Sequence, residues 1–144
     1  MLGPEPTGPE LPSPHLQRRI HEVQVFMREN LHRDVNLGGI AHEAALSPYY
    51  FSRAFTAYVG MPPYRYLIGL RMERAQELLR TSDLSVTQIC QRVGFHSLSH
   101  FTTTFHRHTG ATPTGYRRRL DFERGHRFSA TTDPLVRQPN RANI

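Results

Sequence analysis

Two short stretches carry the side chains with which this chain could do chemistry. One holds Tyr49, Ser52 and Arg53, with Thr56 a turn further on; the other holds Leu98, Ser99, Thr102 and Thr103. If each stretch is a helix with Phe51 and Phe55, or Phe101 and Phe105, turned inward, these residues share one outward face. The chemistry they offer is recognition rather than bond making. An arginine fork grips guanine O6 and N7 through two parallel bonds, worth roughly 1–3 kcal/mol of discrimination. Serine hydroxyls donate or accept, and threonine methyls and Leu98 can meet a thymine methyl. Any exposed helix carries Ser and Thr, so for those residues a plain solvated surface explains as much. Arg53 is different, because it is a lone charge on its face and calls for a partner.

Other chemistries fit less well. Nine histidines invite a metal site, with His96 and His100 four apart and Cys90, His106 and His108 nearby. Zinc needs ligands that converge. Cys90 falls on the core face of its helix and His100 points outward, so a core thiol with surface histidines is the better reading and no metal is expected. A single cysteine also excludes an internal disulfide. No nucleophile–base pair, phosphate loop or paired carboxylate is visible, so neither catalysis nor a cofactor is expected. No apolar run approaches 18 residues, and Met1 to Pro14 has neither a basic nor an apolar segment of a secretory signal. A cytoplasmic setting, with no membrane contact, is the expectation.

The elements that must position these residues can be read from charge and periodicity. The 144 residues carry a formal charge of +6, all of it from 18 arginines, with no lysine. A missing lysine reflects composition more than function. The charge is uneven. Residues 1–14 hold two acids, no arginine and five prolines, which predicts a disordered leader. Residues 84–120 hold five arginines and no acid, a net of +5. Residues 121–144 are poor in apolar residues and read as a mostly disordered tail, leaving 15–120 as the folded part.

Within that part the period is helical throughout. Leu16, Ile20, Val23, Met27 and Leu31 make one apolar face; Leu67, Met72, Ala75, Leu78 and Leu79 make another over about 63–80. Ser85 and Gln88 form a capping box, Ser47 caps a helix that starts at Pro48, and Gly60 and Gly110 end helices. An internal repeat organises the rest. At an offset of 50, Ser47, Phe51, Phe55, Gly60, Pro63 and Tyr66 fall on Ser97, Phe101, Phe105, Gly110, Pro113 and Tyr116. Each copy reads short helix, tight turn, longer helix: 37–44 with 48–59, and 86–93 with 98–109. This is the helix-turn-helix plan, in which the second helix enters a major groove. Gly94 sits where the second turn needs a positive φ, and Ala45 sits at the same place in the first, under strain. Expected cores are Ile40, Ala41, Ala44, Leu46, Phe51 and Phe55, and then Ile89, Cys90, Val93, Phe95, Phe101 and Phe105.

Tyr66-Leu67, Arg71-Met72, Ala75 and Leu78-Leu79, followed by Ser85-Val86, Ile89, Val93-Gly94-Phe95, Ser97, Phe101, Phe105, Gly110, Pro113 and Tyr116-Arg117, resemble the signature of AraC/XylS-type transcription regulators. The resemblance covers about residues 16–119. It implies an all-α fold of two homeodomain-like, three-helix subdomains at 15–62 and 82–120, joined by a long linker helix at 63–81. It also implies a sequence-specific regulator that sets two recognition helices in successive major grooves of double-stranded DNA. Base-reading positions carry over to Tyr49, Ser52, Arg53, Leu98, Ser99 and Thr103, and the face argument adds Thr102. Ser47, Thr56, Ser97, Arg107 and Arg117 are expected on phosphates.

Relatives often have arginine where this chain has Thr103, so the first copy is expected to discriminate and the second to supply phosphate affinity. Family members are mostly activators, which implies contact with RNA polymerase. Most also carry an effector or dimerisation domain ahead of this module. The expectation here is either a stand-alone regulator that binds as a monomer or the DNA-binding fragment of a larger effector-responsive one. A non-specific architectural DNA binder is the competing reading, and the net charge permits it.

Overall fold

The computed structural model describes residues 10–129, and every element within them is a helix. In chain order these are α1 (Pro14–Glu29), α2 (Leu37–Glu43), α3 (Pro48–Val59), α4 (Pro63–Thr81), α5 (Val86–Arg92), α6 (Leu98–Thr109) and α7 (Pro113–Ser129). The fold is therefore all-α, as the periodicity requires. Residues 1–9 of the expected leader and 130–144 of the expected tail lie outside the described residues.

Local chemistry sets the helix ends. Ser13 caps α1, its Oγ accepting from Leu16 N at 3.2 Å. Asn36 does the same for α2 through Gly39 N at 3.0 Å, and a Cβ on Gly39 would press on the Asn36 amide at 3.0 Å. The glycine therefore leaves room for the cap, which offsets its low helix propensity. Ser85 and Gln88 form the full capping box of α5. Gly60 and Gly110 close α3 and α6 in the left-handed conformation. Ala45 does adopt a positive φ of 59°, at the place where Gly94 has 89°.

The repeat extends from sequence into packing. Phe51 and Phe55 have ring centroids 6.0 Å apart, and Phe55 meets Tyr66 edge-on at 5.7 Å. Fifty residues later, Phe101 and Phe105 lie 5.9 Å apart and Phe105 meets Tyr116 edge-on at 5.6 Å. Such tilted and edge-on pairs are the favoured ring geometries. Around the first triad, Ile20, Ala41 and Ala54 are buried, with Ile40 and Leu46 half-buried beside them. Around the second lie Ile89, Cys90, Val93 and Phe95, and with them Met72, Ala75, Leu78 and Leu79 of α4. A third cluster, Met27 with Leu67 and Leu70, seats α4 on α1. The long helix thus belongs to both cores, giving its first turns to one and its last turns to the other.

One expected boundary moves. The folded part was expected to end at residue 120, but α7 continues to Ser129. The reason is α4. Its terminal carbonyls lack partners within their own helix. Arg117 and Arg124, seven apart and so on one face of α7, donate here: Arg117 to the Leu79 carbonyl of α4 and to those of Ser82 and Leu84 just beyond it, Arg124 to that of Arg80. Polar anchors hold this segment where apolar ones are scarce.

Candidate nucleic-acid interface

In each repeat the second helix presents its N-terminal half to solvent. On α3, Tyr49 is 70% exposed and Arg53 is exposed, while Ser52 is half-buried beneath them. On α6, Leu98, Ser99 and Thr103 are exposed and Thr102 is half-buried. The inward Phe residues produce this pattern, since they lock the rotation of both helices about their axes. Fifty residues separate Tyr49 from Ser99, Ser52 from Thr102 and Arg53 from Thr103, so the repeat offers two equivalent reading faces with different contents.

Arg53 has an intramolecular partner that the sequence left open. Its Nη1 donates to the Tyr49 hydroxyl at 2.9 Å, and that bond raises the guanidinium pKa above its ordinary value. Ser47 and Ser97 act first as caps, their hydroxyl oxygens accepting from Tyr50 N and His100 N, each at 3.1 Å. Each hydroxyl proton stays available to a phosphate, at a helix N-terminus that attracts anions in any case.

Two residues expected on phosphates have intramolecular partners. Thr56 Oγ1 donates to the Ser52 carbonyl at 2.7 Å. Arg117 has its guanidinium at the end of α4, on the carbonyls of Leu79, Ser82 and Leu84. Arg107 is exposed in the last turn of α6 between His106 and His108. Cys90 lies in the core, its thiol donating to the Phe95 carbonyl at 3.7 Å, and burial pushes its pKa up. His100 packs its ring on Phe95 at 5.1 Å.

The residue that sequence reasoning passed over is Arg71. It is 8% exposed; its Nε donates to the Leu31 carbonyl at 2.8 Å and its Nη2 to that of Arg33 at 2.9 Å. Its guanidinium carbon is 5.8 Å from the Phe95 ring centroid. Burial lowers its pKa, while Tyr64 and Asp34 push the other way. A signal was present: Arg71 stands on the apolar face of its helix between Leu67 and Ala75, where a charge needs hydrogen-bonding partners.

Comparison with known proteins bears on this arrangement. A family profile described as a helix-turn-helix domain matches residues 40–119. The chain is 34% identical over 103 residues to the HTH-type transcriptional activator RhaS of Shigella boydii, covering 72% of this chain and 37% of that protein. It thus spans about a third of the length of the curated relatives it matches. Among solved structures it is similar to the DNA-binding domain of AdpA, a global transcriptional factor determined in complex with a target DNA. The TM-score is 0.70 and the identity 34%, over 74% of this chain and 96% of that one. An AraC-type regulator from Chromobacterium violaceum matches with a TM-score of 0.66 and 30% identity, over 75% of this chain and 96% of that one. No helix among the described residues is long and apolar enough to cross a membrane.

Proposed function

The chain belongs to the AraC/XylS family of helix-turn-helix proteins, and from that premise we propose that it is a sequence-specific, double-stranded DNA-binding transcription regulator. The observation that carries the reading is the pairing of α3 with α6. Two helices built on the same cap and the same aromatic triad each turn an acid-free N-terminal half to solvent. Likeness to the AdpA domain supports their placement in successive major grooves. Tyr49, Ser52 and Arg53 of α3 and Leu98, Ser99, Thr102 and Thr103 of α6 are the base-reading residues. Ser47, Ser97 and Arg107 take phosphates.

Arg53 gives α3 most of the discrimination, and the basic second copy, Arg107 foremost, supplies most of the sequence-independent affinity. The protein binds as a monomer to an asymmetric site and activates transcription by touching RNA polymerase; the activator role in the name RhaS supports that mode. No enzymatic role is assigned to it.

Selection of bound sequences from random DNA, followed by affinity measurement at physiological salt, tests this. Specific binders favour their site by roughly 10³–10⁷ over random DNA. A ratio near one would instead establish an architectural, non-specific binder, and a palindromic selected site would exclude the monomer.

A further inference from the structure

Three segments far apart in sequence meet at Arg71. The α1–α2 connection supplies the Leu31 and Arg33 carbonyls, α4 supplies the guanidinium, and the α5–α6 turn supplies Gly94 and the Phe95 ring. The fit leaves no slack. A Cβ on Gly94 would stand 2.7 Å from the Leu31 carbonyl oxygen and 3.0 Å from the Arg71 guanidinium carbon. Leu31 packs against the core clusters on both sides of the joint. Outside it, His96 Nε2 and Asp34 Oδ1 lie 2.8 Å apart and tie the same two segments at the surface.

The joint has a particular address. The first segment leads into α2 and so to α3; the second runs directly into α6, which starts at Leu98. Whatever holds the two segments in register holds the two reading helices in register. Arg71 is suited to this because its planar fork satisfies two carbonyls of one segment while its face lies against the other.

We propose that Arg71 is a positioning residue that fixes the separation of α3 and α6, and thereby the spacing between the two DNA segments the protein accepts. The second half of this statement rests on the DNA-binding reading above; the first half does not. Lysine at position 71 keeps the charge but has no fork to bridge two carbonyls and no plane to lie on Phe95. In Arg71→Lys the helices keep their own folds and caps while their mutual register loosens. His96→Ala removes only the exposed outer tie, so it folds whatever the fate of the inner variant, and it loosens the register less.

The first measurement uses no DNA. Spin labels at Tyr50→Cys on α3 and His108→Cys on α6, with buried Cys90 left unlabelled, report the distance distribution between the two helices. The expected result is a narrow distribution that widens in Arg71→Lys and, to a smaller degree, in His96→Ala. Unchanged widths in every variant that folds would overturn the proposal.

The second measurement uses the selected site and derivatives with one base pair added or removed between its two contacted segments, a displacement of about 3.4 Å. The unlabelled protein is expected to lose about tenfold or more on a spacing change, and Arg71→Lys about threefold or less relative to its own best site. A merely structural role would weaken all spacings by one common factor and leave that ratio untouched, which also counts against the proposal. Widened distances in a protein that shows no site preference would remove the sequence-specific reading and leave the positioning role in place.

Discussion

The Arg53 guanidinium is held by Tyr49, one helical turn before it, through a 2.9 Å bond from Nη1 to the phenol oxygen. The guanidinium carbon is 5.6 Å from the ring centroid, near the outer limit of a cation–π contact. The hydroxyl, more than the ring face, therefore orients the only charged side chain of α3. One nitrogen of the fork is engaged, and the other two remain for DNA.

Replacing Arg53 with alanine is expected to relax discrimination at one base pair by about 1–3 kcal/mol while leaving affinity for random DNA nearly unchanged. Tyr49→Phe keeps the ring and removes the acceptor, so it relaxes the same base pair by a smaller amount. Competition binding against all four bases at each position of the selected site reads both. Discrimination that survives in Arg53→Ala would transfer the reading role to Ser52 and Tyr49.

Arg107 and Arg117 are expected to behave oppositely, although both are arginines of the basic second half. Arg107→Ala weakens all DNA sequences alike and lowers the slope of log affinity against log salt by about 0.9. Arg117→Ala leaves three carbonyls near the end of α4 without their donor and lowers folding stability by about 1–3 kcal/mol. Its salt slope stays that of the parent. A parallel fall in the slope for Arg117→Ala would return that residue to the DNA face.

Among the described residues three glycines have a positive φ, and they are not equivalent. Nothing lies within 4 Å of a Cβ on Gly60 or Gly110, so alanine there costs only the left-handed backbone, roughly 1–2 kcal/mol. Gly94→Ala adds a collision with the Leu31 carbonyl and loses clearly more. The converse change, Ala45→Gly, relieves a φ of 59° and raises stability by up to about 1 kcal/mol, reduced by glycine's own backbone entropy. Thermal melts of the four variants rank these effects, and equal losses for Gly94→Ala and Gly110→Ala would refute the close approach.

The Asp34–His96 tie carries a pH signature. The hydrogen bond to His96, and then its charge, lower the Asp34 pKa below the ordinary 3.8. A carboxyl whose folded pKa is depressed contributes stability above its unfolded value and loses it as pH falls through the folded one. The melting temperatures of the parent and Asp34→Asn are therefore expected to differ at pH 5 and to converge as pH drops well below 3.8. Both side chains are more than four-fifths exposed, so the gap is small and shrinks with added salt. A gap that is constant with pH would show that the carboxylate plays no part in it.

How much of this was legible in the sequence depends on the range of the interaction. Caps such as Ser47, Ser85 and Ser97 act over three residues, and the left-handed Ala45 and Gly94 are fixed by their turns, so residue type and spacing sufficed. The paired triads could be read because the repeat states them twice. Arg71 and Arg117 could not be read this way. Each binds carbonyls 33 to 40 residues away, and a backbone acceptor leaves no mark in the sequence. The extension of α7 was hidden for the same reason: Arg124 holds it through the Arg80 carbonyl, where hydrophobic periodicity would look for Leu or Val.

The sharing of α4 between two cores bears on how the protein comes apart. Tyr66 closes the first aromatic cluster, and Met72, Ala75 and Leu79 floor the second, so melting that unwinds α4 takes a wall from both halves. Two recognition units on one chain thus behave as a single cooperative unit. One transition in heat or denaturant is the expected outcome, and a calorimetric scan with two separate peaks would refute it.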